Sequence, residues 1–154
     1  MLIRTTRFGE IEISEESILQ MPDGMMGFQS SHSFILLEDQ PNTPVKWLQA
    51  VDNESLAFVV INPMEFFPDY DIVLADDDVE FLGLENPTDA AIITTVTIDK
   101  NDGLATTNLL GPVVINSKTL IAKQIVLSDD RYGTKHIVGA ARSNETERET
   151  AKAA

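Results

Sequence analysis

At 154 residues the chain is about one domain long, and its 43% apolar share is that of a folded protein, which excludes global disorder. Its 25 acids against 11 bases leave a net charge of −14, a balance that repels phosphate backbones and anionic membranes and attracts basic protein partners. The absence of cysteine excludes disulfides, thiolate zinc sites and a cysteine nucleophile, and leaves the redox compartment unmarked.

Along the chain, short β-like runs alternate with turn signals. Gly9-Glu10-Ile11-Glu12-Ile13-Ser14 alternates apolar residues with acids, the pattern of a strand with one face on a core and one in water. Phe34-Ile35-Leu36-Leu37 and Leu56-Ala57-Phe58-Val59-Val60-Ile61 are continuous apolar runs that read as strands covered on both faces. Residues 45–51 carry the only tryptophan, Trp47, in an expected strand. Met64-Glu65-Phe66-Phe67-Pro68-Asp69-Tyr70 is bracketed by Pro63 and Pro68, which predicts an edge strand or loop. Residues 76–84 form the best helix signal, with Asp76 or Asp77 as cap and Val79, Leu82 and Phe81 turned inward. The stretch 91–98 is rich in β-branched residues, Asn101-Asp102-Gly103 predicts a hairpin after it, and strands are expected at 113–115 and 119–127. These features predict an all-β, mainly antiparallel, small β-barrel-like domain over residues 1–142 with one or two short helices. The polar residues 143–154 read as a frayed helix or disordered tail.

Motifs for catalysis are missing from the sequence. His32 and His136 are the only histidines, there is no HExxH, and no P-loop, dinucleotide fingerprint or nucleophile elbow occurs. Asp69-Tyr70-Asp71 opens like a calcium loop, but Val73 and Leu74 occupy positions that need a ligand and a glycine. Asp76-Asp77-Asp78 reads as a solvated helix start, because adjacent residues rarely aim at one ion. A paired-carboxylate hydrolase stays open, since pairing in space is not visible in a sequence. No cofactor or metal is expected. With no apolar run long enough for a signal peptide or a spanning helix, the expectation is a cytoplasmic protein.

Charge is segregated. Between Trp47 and Asp99 there is no lysine or arginine, while Asp52, Glu54, Glu65, Asp69, Asp71, Asp76, Asp77, Asp78, Glu80, Glu85, Asp89 and Asp99 all fall there. A one-signed stretch of this kind suits a basic partner, and the aromatic residues Phe67 and Tyr70 within it are candidate contacts.

Several landmarks, taken in order, resemble the FliW family. They are Phe8-Gly9-Glu10-Ile11-Glu12-Ile13, Pro22-Asp23-Gly24-Met25-Met26-Gly27-Phe28, Trp47-Leu48-Gln49, and Ala57-Phe58 leading to Asn62-Pro63. Late in the chain follow Asn108-Leu109-Leu110-Gly111-Pro112, Val114-Ile115-Asn116 and Gln124. Met21 and Gly111 depart from that pattern, where an aromatic and an alanine are usual. The resemblance implies a non-catalytic β-barrel-like protein, monomeric alone, that binds CsrA, a dimeric RNA-binding translational repressor, and also binds flagellin. It implies a partner switch in which flagellin captures the factor and frees CsrA to repress flagellin translation. The surface expected to meet CsrA comprises Phe67, Tyr70, Asp71, Ile72, Asp76, Asp77 and Asp78. A flagellin-dedicated chaperone without CsrA control is the alternative. Phe8, Pro22, Gly24, Gly27, Phe28, Trp47, Phe58 and Pro112 read as fold-determining, and Asn108, Asn116 and Gln124 as either internal fasteners or partner contacts.

Overall fold

A computed structural model describes residues 1–38 and 40–140; the expected domain end at 142 and the polar stretch 143–154 lie outside them. The strands, in chain order, are β1 (Leu2–Thr5), β2 (Gly9–Glu12), β3 (Leu19–Gln20), β4 (Ser33–Leu37), β5 (Val45–Ala50) and β6 (Ala57–Ile61). After helix α1 (Asp76–Leu82) come β7 (Ala90–Ile98), β8 (Leu104–Thr107), β9 (Val113–Asn116), β10 (Ala122–Gln124) and β11 (His136–Ala140). All ladders are antiparallel, and the main sheet runs β10-β9-β7-β6-β5-β4-β3, with β8 joining β7 to β11.

The sheet curls into a half-barrel because its strands share one inner face. Leu19, Phe34, Leu48, Val60, Ile93, Val113 and Ala122, from seven successive positions in the strand order, meet in a single buried cluster. The two ends of the sheet then approach at one parallel bridge between Gln20 and Ile121, with the Gln20 N–H donating to Leu120 O at 2.9 Å. A barrel closed by one bridge retains open edge on β10.

Two layers cover the outside, and the first accounts for the continuous apolar run at 34–37. The β1–β2 hairpin packs Ile3 and Ile13 against Ile35 of β4, so Phe34 faces in and Ile35 faces the hairpin. On the far side, α1 and the segment before it set Tyr70 and Leu82 on Val114 of β9. Full burial of a leucine such as Leu82 contributes about 2 kcal/mol.

Local differences from expectation have local causes. Helix α1 stops at Leu82, short of 84, because Gly83 turns left-handed at φ 67°; its N–H bonds Glu80 O and the Leu84 N–H returns to Val79 O. Its cap is Ala75, and no aspartate side chain caps it. Phe81, expected inward, is exposed. The proline-bracketed segment forms a 3-10 turn at Pro63–Glu65, begun by Asn62 Oδ1 accepting the Met64 N–H. The strand expected at 119–127 begins only at Ala122, as β10, because Leu120 takes a positive φ of 64°; beyond Gln124 its hydrogen bonding goes on through Ile125 and Leu127. Asn101-Asp102-Gly103 does turn the chain between β7 and β8, with Gly103 at φ 70° and its N–H on Asp99 O.

Candidate functional site

The acidic segment lies outside the barrel, and its residues divide into those turned in and those turned out. Tyr70 is turned in. It is 5% exposed, its hydroxyl donates to Leu109 O at 2.7 Å, and its ring meets the edge of Tyr132 at 4.8 Å. Burial first, and Tyr132 second, push its hydroxyl well above the ordinary tyrosine range. Tyr70 therefore offers no surface to a partner; a phenol whose polar tip bonds an interior carbonyl is an anchor. Phe67 and Ile72 are half-buried, packed on the same cluster, with Phe67 set edge-on to His136 at 5.8 Å.

Asp71 is exposed, and its backbone is clamped by Tyr132. The Asp71 N–H donates to Tyr132 Oη at 3.0 Å, and that hydroxyl donates to Asp71 O at 3.1 Å. Tyr132 is itself steadied by its neighbours, since the Gly133 N–H donates to His136 Nε2 at 2.8 Å and Gly133 O accepts from Leu109 and Leu110. Thus one late loop, 129–136, holds the acidic segment in place, a link between chain regions about sixty residues apart that the sequence does not display.

The three aspartates of α1 are not equivalent. Asp76 and Asp77 are exposed, whereas Asp78 accepts a 2.8 Å bond from Lys123 Nζ on β10. That bond raises the Lys123 ammonium above the ordinary lysine range, and Nζ also sits 5.1 Å from the Phe81 ring. Only two of the three carboxylates therefore project uncompensated charge. Among the described residues no group of three His, Cys, Asp or Glu side chains is arranged to hold a metal ion. No helix there is long and apolar enough to cross a membrane.

Two grooves bear on partner binding, and the first adjoins these elements. One, about 590 Å³, runs between residues 71–75 and residues 125–130. Residues 125–127 of the second wall fall in the expected strand 119–127, but their place opposite the acidic segment, and the acidic pair Asp129-Asp130 beside them, were not among the expected contacts. The other, about 540 Å³, is lined by Arg7, Met26, Trp47, Phe58, Asn108 and Gln124 among others. Arg7 stacks 3.9 Å from the centre of the Trp47 ring, and Met26 is exposed beside it. Phe28, expected in the core, is 45% exposed and rests edge-on against Phe58 at 5.3 Å.

The amides left open by the sequence are internal fasteners. Asn108 Oδ1 accepts the N–H groups of Leu110 and Gly111. Asn116 Nδ2 donates to Leu82 O at 2.8 Å and Gly83 O at 3.3 Å, tying β9 to the end of α1, while its Oδ1 accepts from Lys118 and Thr119. Gln124 bridges the barrel seam, donating to Gly111 O and accepting the Met26 N–H at 2.9 Å. Gly24 is required by space as well as by its φ of 67°, because a Cβ there would lie 2.8 Å from Gln29 Cα.

Comparison with known proteins agrees with this architecture. The family model described as FliW protein matches residues 2–138. The flagellar assembly factor FliW of Alkaliphilus metalliredigens is 41% identical over 139 residues, covering 90% of this chain and 86% of that protein. The factor of the same name from Bacillus subtilis strain 168 is 37% identical, covering 90% and 97%. A crystal structure of the flagellar assembly factor FliW superposes with a TM-score of 0.81 at 36% identity, covering 90% of this chain and 97% of the other. The chain belongs to the FliW family of flagellar assembly factors, which are not enzymes.

Proposed function

We propose that this chain is a partner switch in flagellar assembly, which sequesters the translational repressor CsrA and surrenders it when flagellin accumulates in the cytoplasm. The observation that carries the reading is the outward-facing acidic surface. Asp71, Asp76 and Asp77 are exposed on one side of the half-barrel, in a stretch without a single lysine or arginine from 48 to 99. An RNA-binding repressor needs a basic surface, and an acidic protein docked beside it repels incoming phosphates without filling the RNA site. For flagellin, the exposed Met26 and Phe28, the latter resting against Phe58, supply apolar contacts suited to an amphipathic segment.

The test is titration calorimetry with the CsrA homologue of the same organism at several salt concentrations, repeated with flagellin present. Salt-sensitive binding that flagellin abolishes is the expected result. Binding to flagellin alone would replace the switch with a flagellin-dedicated chaperone, and binding to neither would overturn both.

A further inference from the structure

The groove between residues 71–75 and 125–130 has a property that surface charge does not explain: each of its walls includes backbone groups that make no hydrogen bond among the described residues. The ladder of β10 continues past Gln124, for the Ile125 N–H donates to Pro112 O and the Leu127 N–H to Leu110 O, at 2.8 and 2.9 Å. Strand alternation then turns the N–H and C=O of Val126 to the opposite edge, into the groove. Neither group makes a hydrogen bond among the described residues, and the same holds for the backbone of Ile72, Val73 and Leu74 on the facing wall. Val73 and Val126, one on each wall, are 85% and 59% exposed. An open edge with exposed valines invites strand pairing, and proteins blunt such edges unless they are used.

We propose that this groove accepts an extended basic peptide of a partner protein by strand addition to the open edge at Val126. The occupant is extended because the edge offers backbone donors and acceptors in strand register, which a helix has no free backbone to meet. It is basic because the rim is acidic after internal pairing is counted. Asp78 and Asp129 are engaged by Lys123 and Arg131, whereas Asp71 and Asp130 lie on the lining without an ion pair among the described residues, and Asp76 and Asp77 stand close by in α1. Lysine or arginine stems cover apolar walls while their heads reach such a rim. Small apolar residues at alternate positions suit the valines and the half-buried Ile72 and Leu74. The inference goes beyond the partner-switch reading and stands if that reading fails, because it assigns a chemistry and a mode of binding to the groove, whoever supplies the peptide.

The experiment uses the full chain and a fluorescent peptide of about eight residues, matched to strand length, alternating lysine and valine. Its controls are the glutamate–valine counterpart and a lysine–valine peptide N-methylated at alternate residues. Anisotropy should show binding of the first peptide, weakening with salt, and at least about tenfold weaker binding of both controls. Val126→Pro, which removes the open donor, should weaken binding by about as much, and Val126→Thr, which keeps it, should bind within about threefold of wild type. The N-methylated peptide preserves the test if Val126→Pro does not fold. Equal binding of the N-methylated or acidic peptide, or no binding at all, overturns the proposal. Self-association of the chain lost in Val126→Pro, without peptide binding, overturns it in favour of a second copy in the groove.

Discussion

The barrel seam and the acidic flank are built from similar polar residues and use them in opposite directions. At the seam, Asn108, Asn116 and Gln124 spend their amide groups on backbone partners inside the molecule. On the flank, Asp71, Asp76 and Asp77 keep their carboxylates in solvent, and only Asp78 is tied down. A primary amide can satisfy both a donor and an acceptor without carrying charge into the interior, so it suits a joint between strands. An ionised carboxylate is costly to bury and so stays outside, where its field extends to a partner. The amides that carry part of the family resemblance thus fasten the frame, and the unpaired aspartates of the flank form an outward face.

Substitution at the seam should break the frame. Asn116→Leu removes the ties to Leu82 O and Gly83 O and leaves these carbonyls without their amide partner. A loss of about 2–4 kcal/mol in urea unfolding is expected. A change below about 0.5 kcal/mol would show that α1 docks without β9. Gly24→Ala should cost a comparable amount, because the added carbon meets backbone atoms that cannot yield and the left-handed φ is strained.

Tyr70 sits between the two regions and sharpens the contrast. Tyr70→Phe loses the hydroxyl bond to Leu109 O, and about 1–2 kcal/mol of stability should go with it. The same residue sets an alkaline limb. Its folded value lies above the ordinary 10.0, so the unfolded chain releases the proton first; the stabilisation is whole below about pH 10 and declines as pH rises toward the folded value. Unfolding midpoints between about pH 9 and pH 11 should fall less steeply in Tyr70→Phe than in wild type. Lys123, raised by its bond to Asp78, acts in the same direction over the same window, so Tyr70→Phe flattens the limb without abolishing it.

Neutralising the flank should leave the frame alone. Asp76→Asn with Asp77→Asn is expected to shift stability by no more than about 0.5 kcal/mol, while weakening binding to the CsrA homologue and flattening its salt dependence. Asp78→Asn differs, because it unpairs Lys123 at the barrel edge, and its effect on stability should exceed that of the exposed pair. Equal behaviour of all three positions would remove the distinction drawn between paired and unpaired carboxylates.

Much of the frame was legible in the chain itself. Apolar runs at 34–37 and 56–61, turn residues at 101–103 and the excess of acids between 48 and 99 followed from side-chain chemistry that neighbours along the sequence share. Hydrophobic alternation sets strand faces, glycine and asparagine set turns, and uncompensated carboxylates must lie outside. Orientation of single side chains was not legible there. Tyr70 is buried because Leu109 and Tyr132 receive it, and Phe28 is exposed because Phe58 takes only its edge. β11 carried no expectation, and the strand expected at 119–127 did not show that its far end would wall a groove, since both depend on partners far away in sequence: β8 for one, Pro112 and Leu110 for the other. The sequence by itself determined the composition of the surface and the class of the fold. Tertiary structure alone decided which acids remain uncompensated and which strand edge stays open, because both depend on pairings that form only when distant segments meet.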